Sequence, residues 1–215
     1  MTQRALALTA ALCSTIALIS IFTLDRSIAL MVHNSGVESA DLVVKGREFL
    51  DNFTGRRLLG NRIGLGQLEL GVVLLVVGVV GVLARRTSSV ARALIFAAGV
   101  QIATIETAWL VKDYFGRMRP YQLIASDDWN HVWFAGGNSF PSGHNAFFWG
   151  LFLPLAYLFP KYKAPLLIIP LFIAFARIDE NYHFLSDVLA AIALAALITL
   201  IAAALCAKWV KRTAA

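Results

Sequence analysis

The chain has 215 residues, 59% of them hydrophobic and only 15% charged, with a mean hydropathy of +0.70; a soluble domain of this size needs more polar surface to stay dispersed, so the composition is that of a membrane protein. The formal net charge of +6 would suit a nucleic-acid partner, but no basic stripe interleaved with aromatics lies outside the loops between apolar runs. Nucleic acid is therefore excluded as a partner, and the positive excess is read as membrane topology plus an anion site.

The first apolar run, Ala5 to Leu24 behind Arg4, is longer than the h-region of about 7 to 15 residues in a signal peptide, so it is expected to be an uncleaved span. A bilayer crossing takes about 20 apolar residues. Further runs at Ile63 to Ala84, Ala93 to Val111, Asn145 to Phe159, Ala164 to Ala176 and Phe184 to Ala207 complete an expected set of six transmembrane helices. The chain is thus expected to be one all-α polytopic membrane domain over residues 1–215. The fourth and fifth runs are short, and Pro165 and Pro170 interrupt the fifth, so both are expected to tilt or to borrow flanking residues. Cys13 and Cys206 lie in apolar runs, where cysteine behaves as a small hydrophobe.

With a cytoplasmic amino terminus, the inner segments carry Arg4, Arg85, Arg86, Arg92, Lys161, Lys163, Lys208, Lys211 and Arg212 and no acidic residue, which satisfies the positive-inside rule. The outer loop from Asp25 to Arg62 mixes charges with Val43, Val44, Phe49, Leu50 and Phe53 and predicts a short amphipathic helix on the membrane surface. The loop from Tyr121 to Phe140, with Trp129, His131, Trp133 and Phe134, either shapes a head-group entrance or forms an interfacial aromatic belt. His33 and His131 fit no metal-ligand spacing and are expected at the surface.

Three polar clusters break the apolar background: KDYFGRMRP at Lys112 to Pro120, PSGH at Pro141 to His144, and RIDENYHFLSD at Arg177 to Asp187. The six-span topology brings all three to the outer face. Lys112 and Arg119 are seven apart, so a continuing helix would place both cations on one side before Pro120 ends it. Ser142, Gly143 and His144 stand where a helix begins, and free N–H groups with the positive end of the dipole make that a phosphate cradle. His183 and Asp187 are four apart, so the carboxylate can hold one imidazole nitrogen and leave the other to attack. Arg117 is either a further head-group contact or a plain interfacial charge. Glu69 and Glu106 sit inside apolar runs, where an isolated charge is expensive; each either pairs with the arginines of the site or is buried as a neutral acid.

These clusters resemble the three motifs of the type 2 phosphatidic acid phosphatase superfamily, which includes the vanadium haloperoxidases. Lys112, six residues, Arg119 and Pro120 match the first motif; Pro141, Ser142, Gly143 and His144 match the second; Arg177, five residues, His183, three residues and Asp187 match the third. Ala176 departs from the pattern, standing where the family has serine. The resemblance implies that Lys112, Arg119, Arg177, Ser142 and the Gly143 N–H bind phosphate, that His183 is the nucleophile, and that His144 is first acid and then base. It implies a phosphohistidine intermediate, with fixed cations in place of a metal and no cofactor.

The expected activity is hydrolysis of a lipid phosphate or diphosphate at the outer membrane–water interface. For a Gram-negative source this means the inner membrane with the site facing the periplasm. Undecaprenyl diphosphate, phosphatidylglycerophosphate, phosphatidic acid and lipid A phosphates are candidate substrates. A phosphotransferase passing the same phosphoryl group to a second lipid, and a non-catalytic transporter of anionic lipids, are the alternatives. The transporter leaves the spacing of His183 and Asp187 unexplained.

Overall fold

The computed structural model describes residues 1–35, 41–53, 69–84 and 88–207. Among these residues the regular secondary structure is all helical, without a strand. In order, the helices are α1 (Gln3–Thr23), α2 (Asp25–Asn34), α3 (Asp41–Phe53), α4 (Glu69–Leu83), α5 (Ser88–Phe115), α6 (Pro120–Ser126), α7 (Gly143–Leu158), α8 (Lys163–Asp179) and α9 (Leu185–Leu205), with a short 3-10 turn at Pro160–Tyr162.

Three helices, α1, α5 and α9, are long and apolar enough to cross a membrane, as in an integral membrane protein. Within the described residues the helices of the other three expected spans are shorter than a full crossing. Helices α4, α7 and α8 have 15, 16 and 17 residues, which at about 1.5 Å per residue falls short of the hydrocarbon thickness of about 30 Å. Pro154 lies inside α7 and Pro170 inside α8. Residues 63–68, the start of the second expected span, lie outside the described residues, as do 36–40 and 54–62 of the outer loop.

Helix α7 is the centre of the bundle. It buries Phe147, Phe148, Trp149, Leu151 and Leu153 on every side, as a helix that is apolar all round must. It packs against α5, α8 and α9, while α1 lies along α9 and α4 along α5. Small residues permit the close approaches, since helix association in lipid relies on van der Waals contact and not on a hydrophobic driving force. Ala191, Ala195 and Ala196 of α9 are buried, and Gly150 of α7 leaves room for Gln101 and Thr104 of α5. Large apolar side chains such as Leu12 and Phe22 of α1 and Val76 of α4 point outward.

The described residues of the outer loop contain two helices where one was expected. Helix α2 follows α1 after the single residue Leu24, and its first residue, Asp25, is buried against the start of α9. Helix α3 packs on α8, where a Cβ at Gly46 would come within 2.9 Å of Phe172 Cζ.

A second difference concerns Lys112 and Arg119. They do not share a helix: α5 ends at Phe115, and Gly116 turns the chain at φ +48°, a conformation glycine adopts without steric cost. Arg119 is extended and caps α6, so Pro120 opens a helix instead of closing one. The turned segment runs beside residues 132–139. Met118 N–H donates to Val132 O (2.9 Å) and Ser139 N–H to Arg117 O (2.8 Å). Gly137 is required in this pairing, because a Cβ there would lie 2.2 Å from Arg117 O.

Two glycines separate packing from propensity. A Cβ at Gly78 would lie 2.7 Å from Ile95 Cγ1 and 2.9 Å from Ala91 O, whereas one at Gly99 meets nothing within 4 Å. Thermal unfolding in detergent is expected to show Gly78→Ala destabilised by about 1–3 kcal/mol, and Gly99→Ala unchanged or slightly stabilised.

Candidate active site

The ends of α5 and α8 and the starts of α7 and α9 converge on one polar pocket of ≈ 330 Å³. Of the residues singled out in the sequence, Lys112, Arg119, Gly143, His144, Arg177 and His183 line it. The other lining residues were not foreseen: Arg47 and Asp51 from α3, Trp109 from α5, Asn138, and Tyr182.

His183 sits in the turn between α8 and α9, placed by its own N–H donating to Arg177 O (3.1 Å) and by Asn181 in the left-handed region, which asparagine tolerates. Its Nδ1 faces Asp187 Oδ2 at 3.4 Å and Ser139 Oγ at 3.4 Å. Nε2 is then the nitrogen left for chemistry. Burial pushes the imidazole pKa down to about 3, with Asp187 opposing the shift and Lys112 and Arg177 adding to it, so the ring is neutral at physiological pH.

Asp187 is fully buried and saturated with donors. Arg117 Nη1 donates to Oδ1 at 2.6 Å, and Ser139 Oγ and the Phe184 N–H donate to Oδ2 at 2.5 and 2.9 Å. Arg117 is therefore neither a head-group contact nor an interfacial charge. Its side chain is 2% exposed and bridges Asp187 to Asp25, with Nη2 2.7 Å from Asp25 Oδ2. Its guanidinium lies between the rings of Trp133 and Phe184, 4.4 and 4.1 Å from their centroids, where cation–π attraction partly replaces lost hydration. Asp25 also accepts from Ser186 N–H and Oγ.

The cations of the pocket are held by their own partners. Lys112 Nζ donates to the carbonyls of Asn138 (2.5 Å) and Pro141 (2.8 Å), which ties the end of α5 to the segment entering α7. Arg119 Nε donates to Asn138 Oδ1 at 2.9 Å. Arg177 Nη1 donates to Glu180 Oε2 at 2.5 Å. The Tyr182 ring stands between Arg177 and Arg119, 4.3 and 5.3 Å from their guanidinium carbons. Ser142 is buried behind the pocket wall and works as the N-cap of α7, its Oγ accepting from Asn145 N (3.5 Å) and Nδ2 (3.0 Å). That cap leaves Gly143 at the pocket surface with the helix N-terminus behind it.

His144 lies in the first turn of α7, and its Nε2 is 3.3 Å from Asp51 Oδ2. Asp51 in turn accepts from Arg47 Nη1 (3.1 Å), whose Nε donates to Glu180 at 2.6 Å.

Several expectations fall elsewhere. Glu106 is exposed on α5, and none of the ion pairs around the pocket includes it; the Glu69 side chain lies outside the described residues. His33 is exposed on α2, and His131 is exposed and paired with Asp128 at 2.7 Å. Trp133 and Phe134 pack with Phe115, and Trp133 covers Arg117.

A curated relative, the lipid A 1-phosphatase of Rhizobium johnstonii, is 31% identical over 97 residues, covering 44% of this chain and 40% of that protein. The match thus spans less than half of the relative's length. No solved structure matches significantly. The family model of the PAP2 superfamily matches residues 70–211, a stretch that contains every motif residue of the pocket, and the chain belongs to that superfamily.

Proposed function

We propose that this protein is a lipid phosphate phosphatase working through a phosphohistidine on His183. The observation that carries the reading is the neutral, Asp187-held imidazole facing a pocket lined by Lys112, Arg119 and Arg177. A phosphate monoester is drawn to the three cations and to the N-terminus of α7 at Gly143. His183 Nε2 attacks phosphorus as the ester P–O bond breaks, and His144 delivers its proton to the departing oxygen. His144 then takes a proton from water, which attacks the phosphohistidine, releases inorganic phosphate and restores neutral His183. Charge accumulating on the equatorial oxygens is met by guanidinium, ammonium and N–H donors fixed beforehand, so a metal ion has no step to perform.

The lipid character of the substrate follows from the setting. The pocket opens beside Trp109, which is 39% exposed on the apolar helix α5, so a head group can enter while its acyl chains stay in the bilayer. The name of the Rhizobium relative favours a phosphorylated glycolipid. In this reading α4, α7 and α8 also cross the membrane, tilted or extended by flanking residues, which makes six spans. The pocket then faces the outside of the inner membrane, opposite Lys161 and Lys163.

Three outcomes are expected. Purified protein given a lipid substrate labelled on phosphorus and quenched within one turnover should carry acid-labile, alkali-stable label. His183→Ala should carry none and should lose about 10³-fold or more in kcat; label retained in that variant would sink the mechanism. Release of free phosphate without an added lipid acceptor distinguishes hydrolysis from phosphotransfer. Turnover should persist in excess chelator and fall with vanadate, which mimics the trigonal bipyramid at phosphorus; loss in chelator reversed by magnesium would count against the reading.

A fourth outcome concerns pH. The folded His183 titrates at about 3 and the unfolded one near 6.5. Between those values only the unfolded chain takes the proton, so stability is full above about 6.5 and falls as the pH drops toward 3. His183→Asn should flatten that part of the stability profile measured by thermal unfolding.

A further inference from the structure

The second histidine of the pocket has a carboxylate partner from outside the motifs. Asp51 Oδ2 stands 3.3 Å from His144 Nε2, and its side chain is only 4% exposed. The His183–Asp187 pair has nearly the same spacing, 3.4 Å. Asp51 belongs to α3, which precedes the residues matched by the family model, and 93 residues separate it from His144.

Asp51 is held in place. Arg47, one turn earlier on α3, donates to the same Oδ2 at 3.1 Å and to Glu180 Oε1 at 2.6 Å, and Glu180 also receives Arg177. An ion-paired chain therefore runs from the imidazole of α7 across α3 to the arginine of α8. Both Arg47 and Asp51 line the pocket.

We propose that Asp51 is the positioning residue for His144, and this rests on the acid role given to His144 above. A carboxylate on Nε2 fixes the ring orientation and keeps a proton on that nitrogen, so the proton exchanged with substrate is that of the other ring nitrogen. In the first step the P–O bond breaks, the His183 N–P bond forms, and the imidazolium of His144 hands its exchangeable proton to the leaving alkoxide. Asp51 remains ionised throughout. Without it the ring turns freely and the proton is delivered from a poorer geometry.

The dependence on leaving group tests this. An alkyl lipid phosphate needs a proton on its departing oxygen, whereas p-nitrophenolate leaves without one. The experiment measures kcat/KM, which reports the phosphorylation step, on short-chain phosphatidic acid and on p-nitrophenyl phosphate. The full-length protein in detergent is compared with Asp51→Asn, Asp51→Glu and His144→Ala.

Asp51→Asn should lower the alkyl ester's value about 10- to 100-fold, the scale on which partners that orient histidines act, while the aryl ester falls far less. Asp51→Glu should recover much of the alkyl activity. An equal fall on both esters would mark a structural or phosphate-binding role and overturn the proposal. No fall on the alkyl ester would overturn it too, and a rise would show α3 to be an obstruction instead. If His144→Ala spares the alkyl ester, the acid assignment itself fails and this inference fails with it; if His144→Ala discriminates between the esters and Asp51→Asn does not, only Asp51 is excluded.

Discussion

The structure depends on one buried guanidinium. Arg117 lies between Asp187 and Asp25 at 2.6 and 2.7 Å, and through those two carboxylates it joins the loop after α5, the start of α9 and the corner between α1 and α2. A charge taken out of water needs close partners or it costs several kcal/mol. Here the two carboxylates come from parts of the chain distant from Arg117 and from each other, so satisfying it requires that all three segments be in place. The ion pair does more to fix geometry than to add net stability, since burying two carboxylates and a guanidinium is itself expensive.

The catalytic geometry follows from that constraint. Asp187 cannot turn, because Arg117, Ser139 and the Phe184 N–H occupy its oxygens. His183, four residues earlier, is thereby held with Nε2 toward the pocket. Lys112 acts similarly on the opposite wall: by donating to the carbonyls of Asn138 and Pro141 it brings the segment before α7 to the end of α5. Lys112, one of the cations proposed to meet a phosphate, is thus also a group that assembles the pocket. Preorganisation of this kind lets fixed charges act on a developing transition state with little reorganisation.

Much of this was legible in the sequence, and the boundary of legibility has a physical cause. The apolar runs locate α1, α5 and α9 to within a few residues, because a lipid-facing helix must be apolar over its whole length. The order of the apolar runs led to the expectation that Lys112, Arg119, His144, Arg177 and His183 meet at one face, and the structure brings these five side chains into one pocket. Gly116 was a visible break signal inside KDYFGRMRP, and reading through it wrongly put Lys112 and Arg119 on one helix. Arg117 read as either a head-group contact or an interfacial charge because its partners are 70 and 92 residues away, beyond anything periodicity records. The same holds for Asp51 and Arg47. The hydrophobic pattern of the outer loop indicates an amphipathic helix but not which wall of the bundle it meets.

The proposed mechanism asks for a strongly positive site for a phosphate dianion and for a nucleophile that carries no proton. The two demands are met by the same charges. Lys112 and Arg177 disfavour the imidazolium of His183, and burial disfavours it more. Asp187 would restore the proton, but its charge is already shared with Arg117 on the other side. The buried arginine thus holds the carboxylate that orients the proposed nucleophile. In the proposed mechanism His144 must hold a proton to give away, and it faces Asp51, whose neighbour Arg47 is shared with Glu180. The two histidines of the pocket thus differ in setting, His183 buried against Asp187 of its own motif and His144 facing a carboxylate supplied by α3.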